Sequence, residues 1–200
     1  MRLILASSSR YRKTLLERLS VRFSCSSPDI DESRHDGESA EALVVRLAEE
    51  KAAAIATQQP NCVVIGSDQL AELDGDVLGK AGSIPAAEAQ LARLSGRSVR
   101  FLTAVCVLSA DGSSQLHLDV TEVQMRDLRA DEIARYVAIE QPLDCAGSFK
   151  SEGLGAALFD AVHSTDPSAL IGLPLIATAR MLRAAGIDPL GAAAADASAV

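Results

Sequence analysis

Cys62-Val63-Val64-Ile65-Gly66-Ser67-Asp68-Gln69 is the stretch that decides the fold class. Val and Ile in a short apolar run, ended by Gly, predict a buried strand entering a turn. A carboxylate at the mouth of such a strand stands where α/β folds place their chemistry. Further on, an Asp-Gly-Asp turn at Asp74 to Asp76 precedes Gly79-Lys80. Adjoining elements thus carry a carboxylate and an ammonium, as metal-assisted phosphate chemistry needs.

Working outward, Leu3-Ile4-Leu5-Ala6 reads as a first buried strand and Ser7-Ser8-Ser9 as a hydroxyl-rich turn with an N-cap. A helix follows from Arg10 to about Leu19, then a strand over Val21 to Cys25 and the acidic loop Pro28-Asp29-Ile30-Asp31-Glu32. Ser39 to Ala56 is strongly helical in pattern. Pro85 to Leu94 predicts another helix, with Pro near its start and Gly96 past its end. Val99 to Leu108 and Leu116 to Met125 predict a hairpin around Asp111-Gly112. Asp131 to Ile139 is a short amphipathic helix, and a final helix follows Pro174 and ends near Gly186. Strands mixed with helices give an α/β class, a mixed sheet flanked by helices. The expected organisation is a single domain over residues 1–190, with an Ala-rich, frayed tail over residues 191–200.

Composition narrows the function. The chain has 200 residues, 48% of them hydrophobic, which is ample for a core. The net charge of −8 argues against a nucleic-acid polymer as partner, because such binding needs a broad basic surface. A small anion held by a few local cations is compatible with it. No apolar run approaches membrane-spanning length, so no membrane partner is expected. Cys25, Cys62, Cys106 and Cys145 are widely spaced and form no CxxC pair, so buried free thiols and a cytoplasmic setting are expected.

The candidate site residues each have an ordinary reading beside the chemical one. Ser7-Ser8-Ser9-Arg10-Tyr11-Arg12-Lys13 gathers hydroxyls, N–H groups and cations at a strand-to-helix turn, which favours anions. Alone, the segment reads rather as a helix cap followed by solvated basic residues, because basic first turns are frequent. Glu32 and Asp68, in different segments, suit a divalent cation, since Mg²⁺ takes one or two carboxylates with phosphate and water. Acidic loops are more often merely solvated, but Asp68 closes an apolar strand. Lys51 has a surface ion pair with Glu49 or Glu50 as its ordinary reading. Lys80 is flanked by Gly79 and Gly82, which permit close backbone approach to a ligand.

Taken in order, these segments resemble the Maf family of nucleoside triphosphate pyrophosphatases. The resemblance is carried by Leu5-Ala6-Ser7-Ser8-Ser9 with Arg12, Asp31-Glu32, Ala48-Glu49-Glu50-Lys51-Ala52, Gly66-Ser67-Asp68-Gln69 and Gly79-Lys80. Thr103-Ala104-Val105, Tyr136, Ala146-Gly147-Ser148-Phe149 and Ile171-Gly172-Leu173-Pro174-Leu175 continue it. The family often has Pro where Arg10 and Ala81 stand here, which touches turn geometry and removes no reactive group. The resemblance implies a Maf/ITPase-like fold with a cleft between two lobes. It also implies hydrolysis between the α- and β-phosphates of a nucleotide, releasing a monophosphate and pyrophosphate. It makes Asp68 the proton acceptor, Glu32 and Asp68 ligands of Mg²⁺ or Mn²⁺, and Ser7, Ser8, Arg12, Lys51 and Lys80 phosphate-binding residues. A homodimer comes with the resemblance as a candidate assembly.

Within the family, Asp-Gln after the strand resembles the branch acting on 7-methyl-GTP, and Asp-Thr the branch acting on dTTP and UTP. Here Asp68-Gln69, Tyr11 and Phe149-Lys150-Ser151-Glu152-Gly153 all resemble the former. Methylation at N7 makes guanine cationic, and an aromatic face such as Tyr11 attracts such a ring by about 0.5–2 kcal/mol. Glu152 would accept from the guanine edge, and Gln69 would donate and accept there. The alternatives are a dTTP/UTP pyrophosphatase and a nucleotide-binding regulator of cell division. The expected role of the leading reading is to keep modified nucleotides out of nucleic acids.

Overall fold

The apolar run that opens at Cys62 becomes β3, Cys62–Leu73, 12 residues long rather than ending near Ile65. This computed structural model describes residues 2–191, so the Ala-rich tail, apart from Gly191, lies outside the described residues. The chain runs β1 (Arg2–Ala6), α1 (Arg10–Glu17), β2 (Ser24–Cys25), α2 (Ala40–Gln58), β3, and β4 (Asp76–Leu78). Then come α3 (Ile84–Leu94), β5 (Ser98–Leu108), β6 (Ser114–Met125), α4 (Ala130–Glu140), β7 (Phe159–His163) and α5 (Leu175–Ala184). The strands form one seven-stranded mixed sheet in the order β2-β1-β3-β5-β6-β7, with β4 also on β3.

β3 is long because its backbone has two successive partners. Cys62 to Gly66 pair in parallel with Arg2 to Ala6, and Ala71 to Leu73 pair antiparallel with Leu78 to Asp76. The return is made by Asp74-Gly75, both at positive φ (54° and 87°), as a two-residue hairpin requires. Asp68 therefore lies within a strand and not at its end. β2 is shorter than expected, and β7 was not foreseen: Phe159-Asp160-Ala161-Val162-His163 carries only two large apolar residues and is held by pairing with β6. The expected β5–β6 connection forms at Ser109 to Ser113, where Ser109 N donates to Ser113 O at 2.8 Å.

The chain divides into two compact units. The first takes residues up to Asp68, Thr103–Asp119 and Asp166 onward; the second takes Gln69–Leu102 and Val120–Thr165. In the first, Leu3 and Leu5 of β1, Val63 and Ile65 of β3, and Val105 and Val107 of β5 bury one sheet face. Leu15 and Leu16 of α1 and Met181 and Leu182 of α5 complete that core. Strand side chains alternate, so Val64 and Gly66 face the other way, towards α2. There the approach is close. A Cβ on Gly66 would lie 2.1 Å from the Ala48 carbonyl oxygen and 2.7 Å from Ala52 N. Ala48 and Ala52, both fully buried, give α2 a small-residue face at that point.

In the second unit, three of the few aromatics meet. Phe149 packs on Phe101 and Phe159 with ring centroids 5.0 and 4.7 Å apart, in tilted and edge-on arrangements. Glu72 of β3, Asp74 of the turn and Asp76 of β4 pair with Arg100, Arg97 and Arg93 respectively. Among the described residues, no helix is long and apolar enough to cross a membrane. All four cysteines are free; Cys62 and Cys106 are buried as expected, whereas Cys25 is exposed and Cys145 only partly buried.

Gly66→Ala is expected to destabilise the protein by about 3 kcal/mol, because helix backbone must move to admit the methyl group. Urea unfolding checks this; parental stability would show that strand and helix can part without cost.

Candidate active site

The pleat of β3 sends Ser67 and Asp68 to opposite faces. Ser67 Oγ donates to the Gly172 carbonyl at 3.3 Å. Asp68 turns towards α2, where Lys51 follows Ala48 by one turn on the helix face that Gly66 admits. The Lys51 ammonium lies 2.7 Å from Asp68 Oδ1 and 2.7 Å from Glu32 Oε1. Lys51 is only 6% exposed. An ammonium taken out of water is costly unless paired, and two carboxylates supply the pairing. The surface pair with Glu49 or Glu50 suggested by the sequence is thus replaced by a buried one.

Arg12 enters from the first turn of α1. Its Nε donates to the Gly172 carbonyl at 2.9 Å, one terminal nitrogen reaches Ser7 Oγ at 3.5 Å, and the other lies 3.9 Å from Asp68 Oδ1. Burial lowers the Arg12 pKa, while Asp68 and Glu32 act in the opposite direction. Ser9 is the N-cap, its Oγ accepting from Arg12 N at 3.3 Å, and Ser7 Oγ accepts from Ser9 N at 3.1 Å. The two readings of this segment therefore divide by residue: Ser9 caps, Arg12 turns inward, and Lys13 pairs on the surface with Glu17.

Glu32 sits on a loop that α2 holds in place. Arg46 grips both carboxylate oxygens of Glu38 at 2.8 and 3.0 Å and donates to the Ser33 carbonyl at 2.9 Å. The Arg46 hydrogen bonds, helped by the His35 N–H, pull the Glu38 carboxyl from its ordinary 4.5 down to about 2.

Ser7, Arg12, Glu32, Lys51 and Asp68 are thus brought together within the first unit. Ser8 is exposed beside them. The Tyr11 ring carries the Arg10 guanidinium on its face, 4.8 Å from the centroid, and Arg10 also donates to the Tyr11 hydroxyl at 2.8 Å. Gln69, Lys80 and Glu152 belong to the second unit. There Lys80 forms a backbone bridge with Ala146, and Gln90 of α3 donates to the Gly79 carbonyl at 3.1 Å. Glu152 is exposed, in the turn that follows Phe149.

Sequence reasoning missed the Gly172 carbonyl, which receives both Arg12 and Ser67. Gly172 has φ of 132°, which side-chain-bearing residues rarely adopt, and the Gly172-Leu173-Pro174 run was the available signal. It also missed Arg46, whose role depends on where the preceding loop folds back. Among the described residues, no three His, Cys, Asp or Glu side chains gather as a metal cluster. Glu32 and Asp68 are two hard oxygen donors converging on one positive charge, which fits Mg²⁺ or Mn²⁺ completed by phosphate and water.

The family described as Maf-like protein matches residues 2–185. The chain belongs to the Maf family. It is 57% identical over 187 residues to the 7-methyl-GTP pyrophosphatase of Xanthomonas campestris pv. campestris (strain 8004), covering 94% of this chain and 97% of that protein. It is 54% identical to the 7-methyl-GTP pyrophosphatase of Alcanivorax borkumensis, covering 93% of this chain and 95% of that protein. In fold it is similar to a HAM1 protein from Coxiella burnetii, with a TM-score of 0.51 at 20% identity, over 78% of this chain and 90% of that one.

The Glu38 grip has a pH limit. A carboxylate whose pKa is depressed on folding adds stability above its unfolded value and loses it as pH falls through the folded one. Between pH 4.5 and about 2 the Glu32 loop is expected to loosen from α2. Hydrogen exchange at the His35 amide checks it: protection should fall across that window in the parent, and be weaker but unchanged across it in Glu38→Gln, which keeps an acceptor without the titratable charge.

Proposed function

We propose that this chain hydrolyses 7-methyl-GTP to 7-methyl-GMP and pyrophosphate in the cytoplasm, limiting entry of the modified nucleotide into nucleic acid. The observation that carries the reading is Asp68, held by Lys51 and faced by Arg12, in a chain more than half identical to proteins named for that reaction. Water attacks across the anhydride between the α- and β-phosphates; one P–O bond forms, the bridging one breaks, and pyrophosphate leaves. Asp68 accepts the water proton. Lys51 holds Asp68 Oδ1 and so fixes the direction in which the carboxylate accepts. Arg12, with Ser7 and Ser8, opposes the phosphate charge, and Lys80 adds a further cation. Such displacements depend mostly on positioning and charge neutralisation.

Glu32 and Asp68 would hold the divalent cation. Bound there, Mg²⁺ or Mn²⁺ supplies positive charge to the phosphate oxygens. Tyr11 would stack on the methylated base, and its ring already takes a cation on one face from Arg10. Gln69 and Glu152 would read the base edge.

Pyrophosphate release is to be measured across 7-methyl-GTP, GTP, dTTP, UTP and CTP, with Mg²⁺ and with chelator. The expected result is preference for 7-methyl-GTP, loss of turnover in chelator, and a fall of about 10²–10⁴-fold in Asp68→Asn with nucleotide binding kept. Preference for dTTP or UTP would overturn the base assignment. Undiminished turnover in Asp68→Asn would overturn the proton acceptor.

A further inference from the structure

The turn that carries Glu152 is held at both ends by one side chain. Glu140, the last residue of α4, accepts the Leu154 N–H on Oε1 at 2.8 Å. Its Oε2 lies 3.5 Å from the Lys150 ammonium, which also donates to the Glu140 carbonyl. One helical turn earlier, the Tyr136 hydroxyl accepts the Lys150 N–H at 2.9 Å. Tyr136 and Glu140 are four residues apart, so one face of α4 addresses the turn. The seating leaves no slack. A Cβ on Gly153 would lie 2.6 Å from Glu140 Oε1, and one on Gly155 would lie 2.2 Å from the Lys150 carbonyl oxygen. The Glu140 and Lys150 side chains are each 17% exposed, so the pair is largely withdrawn from water and holds more firmly than a surface ion pair.

Nothing in the chemistry of anhydride cleavage requires this clamp. Its consequence is geometric: Glu152 sits between two anchored points, Lys150 and Leu154, and its carboxylate is presented from a turn tied to α4 on both sides. We infer that Glu140 is a positioning residue for base selectivity, holding the Lys150–Leu154 turn so that Glu152 meets the base edge. The inference deepens the proposed function and rests on its reading of Glu152.

Selectivity is measured as the ratio of kcat/KM, and of Kd, for 7-methyl-GTP over GTP. Glu140→Ala is expected to lower that ratio about tenfold while kcat on GTP stays within about threefold of the parent. Lys150→Met acts on the other partner and is expected to change the ratio in the same direction. Glu140→Gln keeps an acceptor for Leu154 N–H without the charge, and its ratio is expected to lie between parent and Glu140→Ala. If Glu140→Ala does not fold, the other two variants decide the question. An unchanged ratio, or equal losses on both nucleotides, overturns the inference. A parent protein that does not prefer 7-methyl-GTP overturns the functional reading instead. The role of Glu140 is then decided by the ratio between the parent's preferred nucleotide and the next.

Discussion

The contact between Gly66 of β3 and the Ala48–Ala52 turn of α2 sets the distance at which helix and strand lie, and the catalytic chemistry proposed here depends on that distance. With no side chain at residue 66, the helix backbone comes to 2.1 Å from where a Cβ would stand, far inside van der Waals contact. Lys51 lies on the same helix face and Asp68 two residues further along the same strand face. A wider spacing would leave the lysine stem too far from the carboxylate, and a buried ammonium would lose its partner. Packing and electrostatics are therefore one constraint in this part of the molecule.

Around that contact, the charges are arranged so that no one of them stands alone. Lys51 joins Asp68 to Glu32, and Arg12 approaches Asp68 while its Nε is spent on the Gly172 carbonyl. Arg12 thus has one edge fixed by backbone and another directed at the carboxylate, the arrangement expected of a preorganised cation. Glu32 comes from a loop, and its place is secured at a distance, by Arg46 gripping Glu38 and Ser33. The second unit uses the same device. Glu140 on α4 secures the turn of Glu152, and Gln90 on α3 secures Gly79 beside Lys80. In each case a helix side chain anchors a loop or turn that carries one of the proposed site residues.

Much of this was legible in the sequence, for identifiable reasons. Val63, Val64 and Ile65 predict a buried strand and the apolar spacing of α2 a helix, since short-range patterning reports burial directly, and Pro85 and Gly96 mark the two ends of α3. The segments of Ser7, Arg12, Glu32, Lys51 and Asp68 match the family in order, and the fold brings these five together. The extent of β3 was not legible. Residues beyond Gly66 form strand only because β4 returns to pair with them, and strand pairing is a relation between segments. β7 escaped notice for the same reason.

The sequence by itself determined which residue types the site has at its disposal, where most helices lie, and the family to which the chain belongs. Those follow from local patterns and from ordered motifs. Only the tertiary structure decided that Lys51 pairs with Glu32 and Asp68 and not with Glu49 or Glu50. It likewise decided that Arg12 turns inward to the Gly172 carbonyl, and that Glu140 takes both ends of a turn ten residues and more away. Partner choice is set by burial and distance, which arise when remote segments pack, and a side chain excluded from water must take whichever counter-charge packing leaves beside it.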